Sequence, residues 1–279
     1  MLFDTHAHVN FNAYKDDSGQ VIRRSLDNDV WLINVGSQYS TSRRAVETAE
    51  QYKEGVYAAI GLHPVHLETG LVKIKNDAEE IQFPTIQESF DYEQYKKLAQ
   101  SPKVVAIGEI GLDYYWKPKT IHKLGLFKEK QVAVLFQQID LAKDLNLPIL
   151  IHCRMAHDDL LKMLNYKFQD INYESGGVIH CFTGTYEQAK KYMEMGFHLS
   201  FNGIIFKMNL DDVIKKIPLK NILIETDCPY LTPPPMTGRN EPIYVKYMAE
   251  KIAKIKNLSY EEVVAVTTQN AKGLFKIKS

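Results

Sequence analysis

The sequence predicts an α/β protein with a TIM (β/α)8 barrel of eight parallel strands. Short β-branched or apolar runs alternate with longer stretches of helical spacing, which is typical of parallel β-α-β units. Eight such repeats favour closure into a barrel. The length of 279 residues suits this fold, because barrels of about 250 residues form one core. We therefore expect residues 1–279 to form a single domain.

The predicted strands are short, and two of them are apolar without interruption. Residues 104–107 and 149–151 contain no polar side chain, as expected of strands that are buried on both faces. The eight predicted strands span 1–5, 30–35, 56–61, 104–109, 148–152, 177–180, 197–201 and 222–226.

Helical periodicity fills the stretches between and after the strands. Apolar residues recur at spacings near three and four over 127–145, which predicts one long amphipathic helix. Three prolines at 233–235 exclude a helix after the eighth strand, and helix resumes near Pro242. Two further helices at 244–256 and 260–276 complete the predicted outer ring.

One region does not fit a minimal strand-helix repeat. From Glu68 to Asp91 the chain is long, polar and acidic, with Pro84 near its middle. We interpret 68–91 as an insertion after the third strand.

Composition limits the classes of partner and compartment. Lys+Arg and Asp+Glu both number 34, so no net field draws the chain to long nucleic acid or to an anionic membrane. The apolar runs are far shorter than the ~18 residues of a membrane span, and no signal peptide is evident. Three cysteines cannot form a paired disulfide framework. We therefore expect a soluble, cytoplasmic protein, and a monomer because no apolar surface stripe is evident.

Metal-ligating side chains stand at the ends of five predicted strands. His6 and His8 lie two residues apart on the first strand, so both imidazoles can face the same side. The fourth, fifth, sixth and eighth strands run into Glu109, His152, His180 and Asp227. In a TIM barrel these strand ends form one face, where active sites lie. One such residue alone is most often an ordinary polar side chain, but five strands that end alike predict a metal centre.

The ligand types indicate which ions the centre takes. Imidazole nitrogens with carboxylate oxygens suit Zn²⁺ or Mn²⁺, and the carboxylates also tolerate Mg²⁺. Each cysteine directly follows a proposed ligand, at positions 153, 181 and 228. Strand alternation turns Cys153, Cys181 and Cys228 the other way, which favours buried structural thiols over ligands.

Seven motifs and a closing segment follow one another along nearly the whole chain. They are FDTHAH at 3–8, GLHP at 61–64, GEIGLDYY at 108–115, IHCR at 151–154, HCFTG at 180–184, ETDCPY at 225–230, RNEP at 239–242 and QNAKGLF at 269–275. In this order they resemble the TatD-like metal-dependent deoxyribonucleases, which are amidohydrolase-type barrels. The stretch 68–91 departs from that pattern, because it is longer than the family leads us to expect.

The resemblance implies two divalent ions, Mg²⁺, Mn²⁺ or Zn²⁺, that share Glu109 as a bridge. It assigns the first ion to Glu109 with His6, His8 and Asp227, and the second to Glu109 with His152 and His180. Two such ions can clamp a phosphoryl group between them. Asp227 is the candidate to orient the attacking water and accept its proton, and its alternative role is ligation alone. Glu109 and Asp227 are thus the candidate catalytic residues.

Four further residues are candidates for substrate binding. His63, in the GLHP motif, is interpreted as a donor to a phosphate or as a structural hydrogen-bonding histidine. Arg154 pairs either with a phosphate or with a carboxylate such as Asp113. The aromatic run 114–116, and Tyr115 within it, either stacks a terminal base or packs internally.

The leading hypothesis is a deoxyribonuclease that trims single-stranded DNA or strand ends, because a barrel mouth admits a strand terminus more easily than an intact duplex. The 3′-5′ polarity comes from the resemblance. The alternative is a metal-dependent amide or ester hydrolase, such as an aminoacyl-tRNA or small-molecule deacylase, since the same ions polarise carbonyls. A non-catalytic scaffold requires a lost ligand, and none is missing.

Overall fold

Eight parallel strands form one sheet in the order β1 to β8. The structure, a computed structural model, describes residues 1–67, 69–72, 87–171 and 173–277. The strands are β1 (Leu2–Ala7), β2 (Val30–Val35), β3 (Val56–Ile60), β4 (Val104–Asp113), β5 (Ile149–Arg154), β6 (Gly177–Ile179), β7 (Phe197–Phe201) and β8 (Ile222–Ile224).

The first strand and the segment after the last strand meet and close the sheet. Ala7 and Cys228 form a parallel bridge. The His8 amide donates to the Cys228 carbonyl at 2.9 Å, and the Asp227 amide donates to the His6 carbonyl at 2.8 Å. The predicted (β/α)8 barrel is therefore confirmed, and its closure brings His6 of β1, and His8 just after β1, beside Asp227.

Helices follow the strands and cover the outside of the barrel. The long helix predicted over 127–145 is confirmed as a helix of 25 residues, Ile121–Leu145. The helices are α1 (Ser18–Asp27), α2 (Tyr39–Ala49), α3 (Tyr92–Leu98), α4 (Ile121–Leu145), α5 (His157–Ile171), α6 (Tyr186–Glu194), α7 (Asp211–Lys216), α8 (Val245–Lys256) and α9 (Tyr260–Leu274). In the described part of the chain, no helix combines the length and apolarity that crossing a membrane requires.

The strands are buried on both faces, which explains their uninterrupted apolar runs. Ile149 and Ile151 of β5 join the outer core that lies between strands and helices. Leu150, between them, joins a second cluster with Val105 and Val178 from other strands, inside the barrel. The barrel interior is therefore filled with apolar side chains, and the polar candidate site lies at the mouth of the barrel.

Most of the predicted insertion at 68–91 lies outside the described residues. At its base, Leu67 pairs with Glu88 in a parallel bridge. The Glu88 carboxylate accepts a hydrogen bond from the Tyr39 amide at 2.8 Å and another from the Tyr95 hydroxyl at 3.1 Å. The chain thus returns to the barrel at Glu88, and the insertion itself stays a prediction.

Candidate metal centre

Three of the proposed ligands lie within strands, which corrects the predicted strand ends, and one of them is His152 in β5. β1 runs to Ala7 and contains His6, whereas β4 runs to Asp113 and contains Glu109. The pairing register shifts close to His6 and Glu109, between β1 and β2 and between β4 and β5. A bulge of this kind bends a strand and redirects a side chain. Regular alternation read from the sequence could not locate these shifts.

Glu109 is the hub of the six proposed ligands. Its Oε2 lies 3.6 Å from Nε2 of His6 and 4.0 Å from Nε2 of His8. Its Oε1 lies 2.9 Å from Nδ1 of His152 and 3.1 Å from Nε2 of His180. The two carboxylate oxygens therefore face two separate pairs of histidines, which is the geometry of a bridging ligand.

The first group of ligand atoms has the spacing of a metal site. Nε2 of His6 and Nε2 of His8 are 3.0 Å apart, and Oδ1 of Asp227 lies 3.8 Å and 3.5 Å from them. Ligands held at about 2.1 Å around a tetrahedral ion are about 3.4 Å apart. Nδ1 of His8 donates to the Val35 carbonyl at 2.8 Å, so its Nε2 presents a lone pair to the centre. These atoms fit a cation among them.

The second group contains His152 and His180. In each ring, the nitrogen that points away from Glu109 contacts another carboxylate. Nδ1 of His180 lies 3.1 Å from Oε1 of Glu225, and Nε2 of His152 lies 3.2 Å from Oδ2 of Asp113. A carboxylate that accepts the ring proton leaves the other nitrogen free to bind a metal. Nδ1 of His152 is buried, and its 2.9 Å contact with Oε1 of Glu109 does not have the geometry of a hydrogen bond. This second set of atoms therefore also fits a metal ion.

His63 presents a donor to the centre. The Val65 amide donates to Nδ1 of His63 at 3.0 Å, so Nε2 carries the proton of the neutral ring. Nε2 lies 3.4 Å from Oε1 of Glu109. Burial holds the pKa of His63 well below its ordinary value, which keeps the ring neutral. This arrangement suits a donor to phosphate, although His63 also lies close enough to Asp113 and His152 for the three to share a cation.

Both central carboxylates are ionised in this environment. Burial alone raises the pKa of Glu109, but the neighbouring histidines, above all His63 and His180, outweigh it and bring the pKa well below the ordinary value. Burial also raises the pKa of Asp227, and a hydrogen bond from His8 with the nearby imidazoles lowers it overall. The two groups therefore offer charged oxygens to a cation at neutral pH.

Arg154 contacts an aromatic ring instead of a carboxylate. Its guanidinium lies 3.6 Å from the centroid of the Tyr115 ring. The alternative partnership with Asp113 is not seen, because Oδ2 of Asp113 bonds to His152 and its Oδ1 accepts from the Tyr115 amide. All four candidate substrate-binding residues thus lie around the centre, and their roles stay predictions.

The cysteines do not join the centre. Cys153 and Cys228 are buried, and Cys181 is half-buried. Burial raises the pKa of each thiol to about 12, so none of them is a thiolate at neutral pH. Within the described ranges, no cysteine belongs to a group of side chains that could share a metal ion.

Two buried carboxylates that support the site were missed in the sequence. Oε1 of Glu225 accepts from Nδ1 of His180 and from the Cys181 amide. Asp4 accepts from the amide and the hydroxyl of Thr226, at 2.8 Å and 2.6 Å. Each carboxylate precedes a proposed ligand by two residues. This spacing of two residues from a ligand was the available signal.

Replacing Glu225 with Ala should weaken Mn²⁺ binding by about 10–100-fold, because His180 loses the acceptor that aims its Nε2 at the centre. Glu225→Gln is the matched control, since it keeps an accepting oxygen and should weaken binding less. Isothermal titration calorimetry measures both affinities without reference to activity. Unchanged Mn²⁺ affinity in Glu225→Ala would contradict a positioning role for Glu225.

The closed barrel and the polar cluster at its mouth define a class of protein, the metal-dependent hydrolases built on TIM barrels. The model of one family, TatD related DNase, matches residues 3–276. The chain belongs to this family and is a metal-dependent hydrolase, which confirms the resemblance.

Relatives match over nearly the full length of the chain. A Bacillus subtilis protein named uncharacterized metal-dependent hydrolase YabD is 44% identical, over 99% of this chain and 100% of its own. The Escherichia coli 3′-5′ ssDNA/RNA exonuclease TatD is 30% identical, over 99% of each chain. The crystal structure of the TatD homologue YJJV from Escherichia coli aligns with a TM-score of 0.80 at 27% identity, covering 99% of this chain and 98% of that one.

Proposed function

We propose that this hydrolase is a two-metal exonuclease that removes nucleotides from the 3′ end of single-stranded DNA. The carrying observation is that the two oxygens of Glu109 face different histidine pairs. Polarity and strand preference rest on relatives at 30% identity, which are named 3′-5′ ssDNA/RNA exonucleases.

In this proposal two divalent ions, Mg²⁺, Mn²⁺ or Zn²⁺, share Glu109. His6, His8 and Asp227 complete one site, and His152 and His180 complete the other. Support comes from the convergent ligand atoms and from Nδ1 of His152, which is buried and lies 2.9 Å from Oε1 of Glu109. When bound, such ions polarise the phosphodiester and lower the pKa of a water molecule.

The side chains around the ions position the substrate and move the proton. Asp227 accepts the proton of the attacking water, because its side chain is 14% exposed against 7% for Glu109 and is the easier carboxylate to reach. His63 donates from Nε2 to a phosphate oxygen. Arg154 attracts the phosphate that follows along the strand. Glu109 stays a ligand throughout.

We also propose that residues 1–279 act as one catalytic domain. Helix α9, near the end of the chain, packs against β1 and β8. The three free thiols favour a reducing compartment, so we propose a cytoplasmic enzyme. We propose a monomer, which light scattering after size-exclusion chromatography would test.

Metal-loaded protein should release labelled mononucleotides early from single-stranded DNA that is labelled at its 3′ end. The same DNA labelled at its 5′ end should yield small labelled products only later. Excess chelator should stop the release, and added metal should restore it. A parallel incubation with an aminoacylated RNA tests the acyl hydrolase alternative. Turnover of the acyl substrate with intact DNA would replace the nuclease proposal. Full activity after chelation and dialysis would remove the ions from the mechanism.

A further inference from the structure

Two aromatic side chains and an arginine stand exposed beside the candidate metal centre. Tyr115 and Trp116, which follow β4, are 49% and 44% exposed. The Trp116 ring meets the Tyr115 ring edge-on, with centroids 5.0 Å apart and planes at 90°. The guanidinium of Arg154, the last residue of β5, lies 3.6 Å from the Tyr115 centroid. We call Tyr115, Trp116 and Arg154 the stacking ledge.

The exposure of the ledge contrasts with the burial of its neighbour. Tyr114 is 5% exposed and packs in the core, with Nζ of Lys128 4.5 Å from its ring centroid. One run of three aromatic residues therefore places one ring inside and two rings in solvent. Adjacent aromatic rings that are exposed to solvent are typical of a ligand-binding surface. Among the described residues, the Arg154 guanidinium forms no ion pair, so its charge can bind an anion.

The backbone and one carboxylate fix the ledge to the candidate site. The Tyr115 amide donates to Oδ1 of Asp113 at 2.8 Å, and Oδ2 of Asp113 bonds to His152. Arg154 lies two residues beyond His152 on the same strand, on the same face and about 7 Å along it. A chain whose phosphate lies at Glu109 can therefore reach the ledge with its adjacent nucleotides.

The charge around the ledge suits a polyanion. Lys117, Lys119 and Lys123 follow Trp116 and are all exposed. They provide local positive charge on a chain whose formal net charge is zero. Aromatic faces combined with cations are the arrangement with which proteins bind single-stranded nucleic acid.

We infer that the stacking ledge is a subsite for an unpaired nucleobase close to the scissile phosphate. This inference rests on the proposed function and deepens it, because it makes the substrate a single strand of at least two nucleotides. In a duplex, base pairing and stacking keep the base faces out of reach of the rings. Every base has a face that stacks, so the subsite accepts all four bases.

Trp116 itself can report the binding. The chain has two tryptophans, and the other, Trp31, packs against Phe3 near the start of β2. A Trp31→Phe variant therefore leaves Trp116 as the only indole. In metal-free protein, where no cleavage occurs, a ten-nucleotide oligothymidylate should quench its fluorescence, and a duplex of equal length should not.

Tyr115→Ala, in the Trp31→Phe background, should weaken binding of the single strand by roughly 5- to 150-fold. Tyr166→Ala is the matched control, because Tyr166 is a tyrosine on α5 that is 65% exposed. Deleting the base at each of the three 3′-terminal positions in turn should reproduce the loss at one position. Tyr115→Ala should then lose no further affinity for that abasic strand.

Equal quenching by duplex, an absence of quenching, or unchanged affinity in Tyr115→Ala would overturn the subsite. These binding results do not depend on hydrolysis. If the ledge binds a base but metal-loaded protein cleaves no DNA, the proposed function fails and the subsite stands. If DNA is cleaved normally by Tyr115→Ala and by wild type, with equal kcat/KM, the subsite fails and the proposed function stands.

Discussion

Replacing Asp227 with Asn should lower kcat by about 10²–10⁴-fold while the ions and DNA remain bound. Asparagine keeps the size of the side chain and one oxygen that can bind a metal, but it cannot take a proton from water. Because Asn has the same shape as Asp, its amide oxygen can take the position of Asp227 Oδ1, which lies 3.5 Å from Nε2 of His8. The expected loss is therefore in chemistry and not in affinity.

A metal titration of Asp227→Asn separates proton transfer from ligation. If Asp227 only binds metal, excess Mn²⁺ restores the activity of the variant. Persistent inactivity with both ions bound identifies the base. Asp212→Asn is the control, because Asp212 is an exposed carboxylate at the start of α7 and should change neither kcat nor metal affinity.

Replacing Glu109 with Ala should lower activity by at least roughly 10³-fold, since a bound ion contributes several kcal/mol to the transition state. Removing this side chain takes one ligand from each of the two proposed metal sites, because Oε2 lies near His6 and Oε1 lies near His180. Both ions should therefore bind more weakly. Removing a ligand of one ion alone should weaken the binding of that ion only.

Glu109→Gln is the matched control for size. Its neutral amide keeps one accepting oxygen but no charge, so it should weaken both ions less than Ala does. Stabilisation by added Mn²⁺, seen as a rise in Tm of the wild type, should be reduced in both variants, because an ion bound only by the native state stabilises that state. An undiminished rise in Tm for Glu109→Ala would argue against a bridging role.

The fold could be predicted because local patterns and the global architecture agree. The uninterrupted apolar runs at 104–107 and 149–151 are strands buried on both faces, and α4 follows its helical period. The proposed ligands could also be grouped from sequence, because parallel strand ends share one face of a barrel. The strand ends themselves were less accurate, since β1 and β4 continue past their predicted limits.

Contacts between distant segments were not predictable. Asp4 and Thr226 are 222 residues apart, and no periodicity links them. Arg239, the first residue of the RNEP motif, pairs with Asp17 at 2.6 Å and lies over the Tyr14 ring. A cationic side chain can bind a phosphate or stabilise a loop through an ion pair. The tertiary neighbours decide between these roles, and the residue type alone does not.

The most direct test of the bridging role of Glu109 is the metal content per chain, measured by elemental mass spectrometry. Wild type and variant are loaded with metal under the same conditions and then desalted. The shared bridge of Glu109 predicts about two divalent ions per wild-type chain and almost none in Glu109→Ala. One ion per wild-type chain, or two ions retained by Glu109→Ala, would contradict a centre in which Glu109 joins two metal sites.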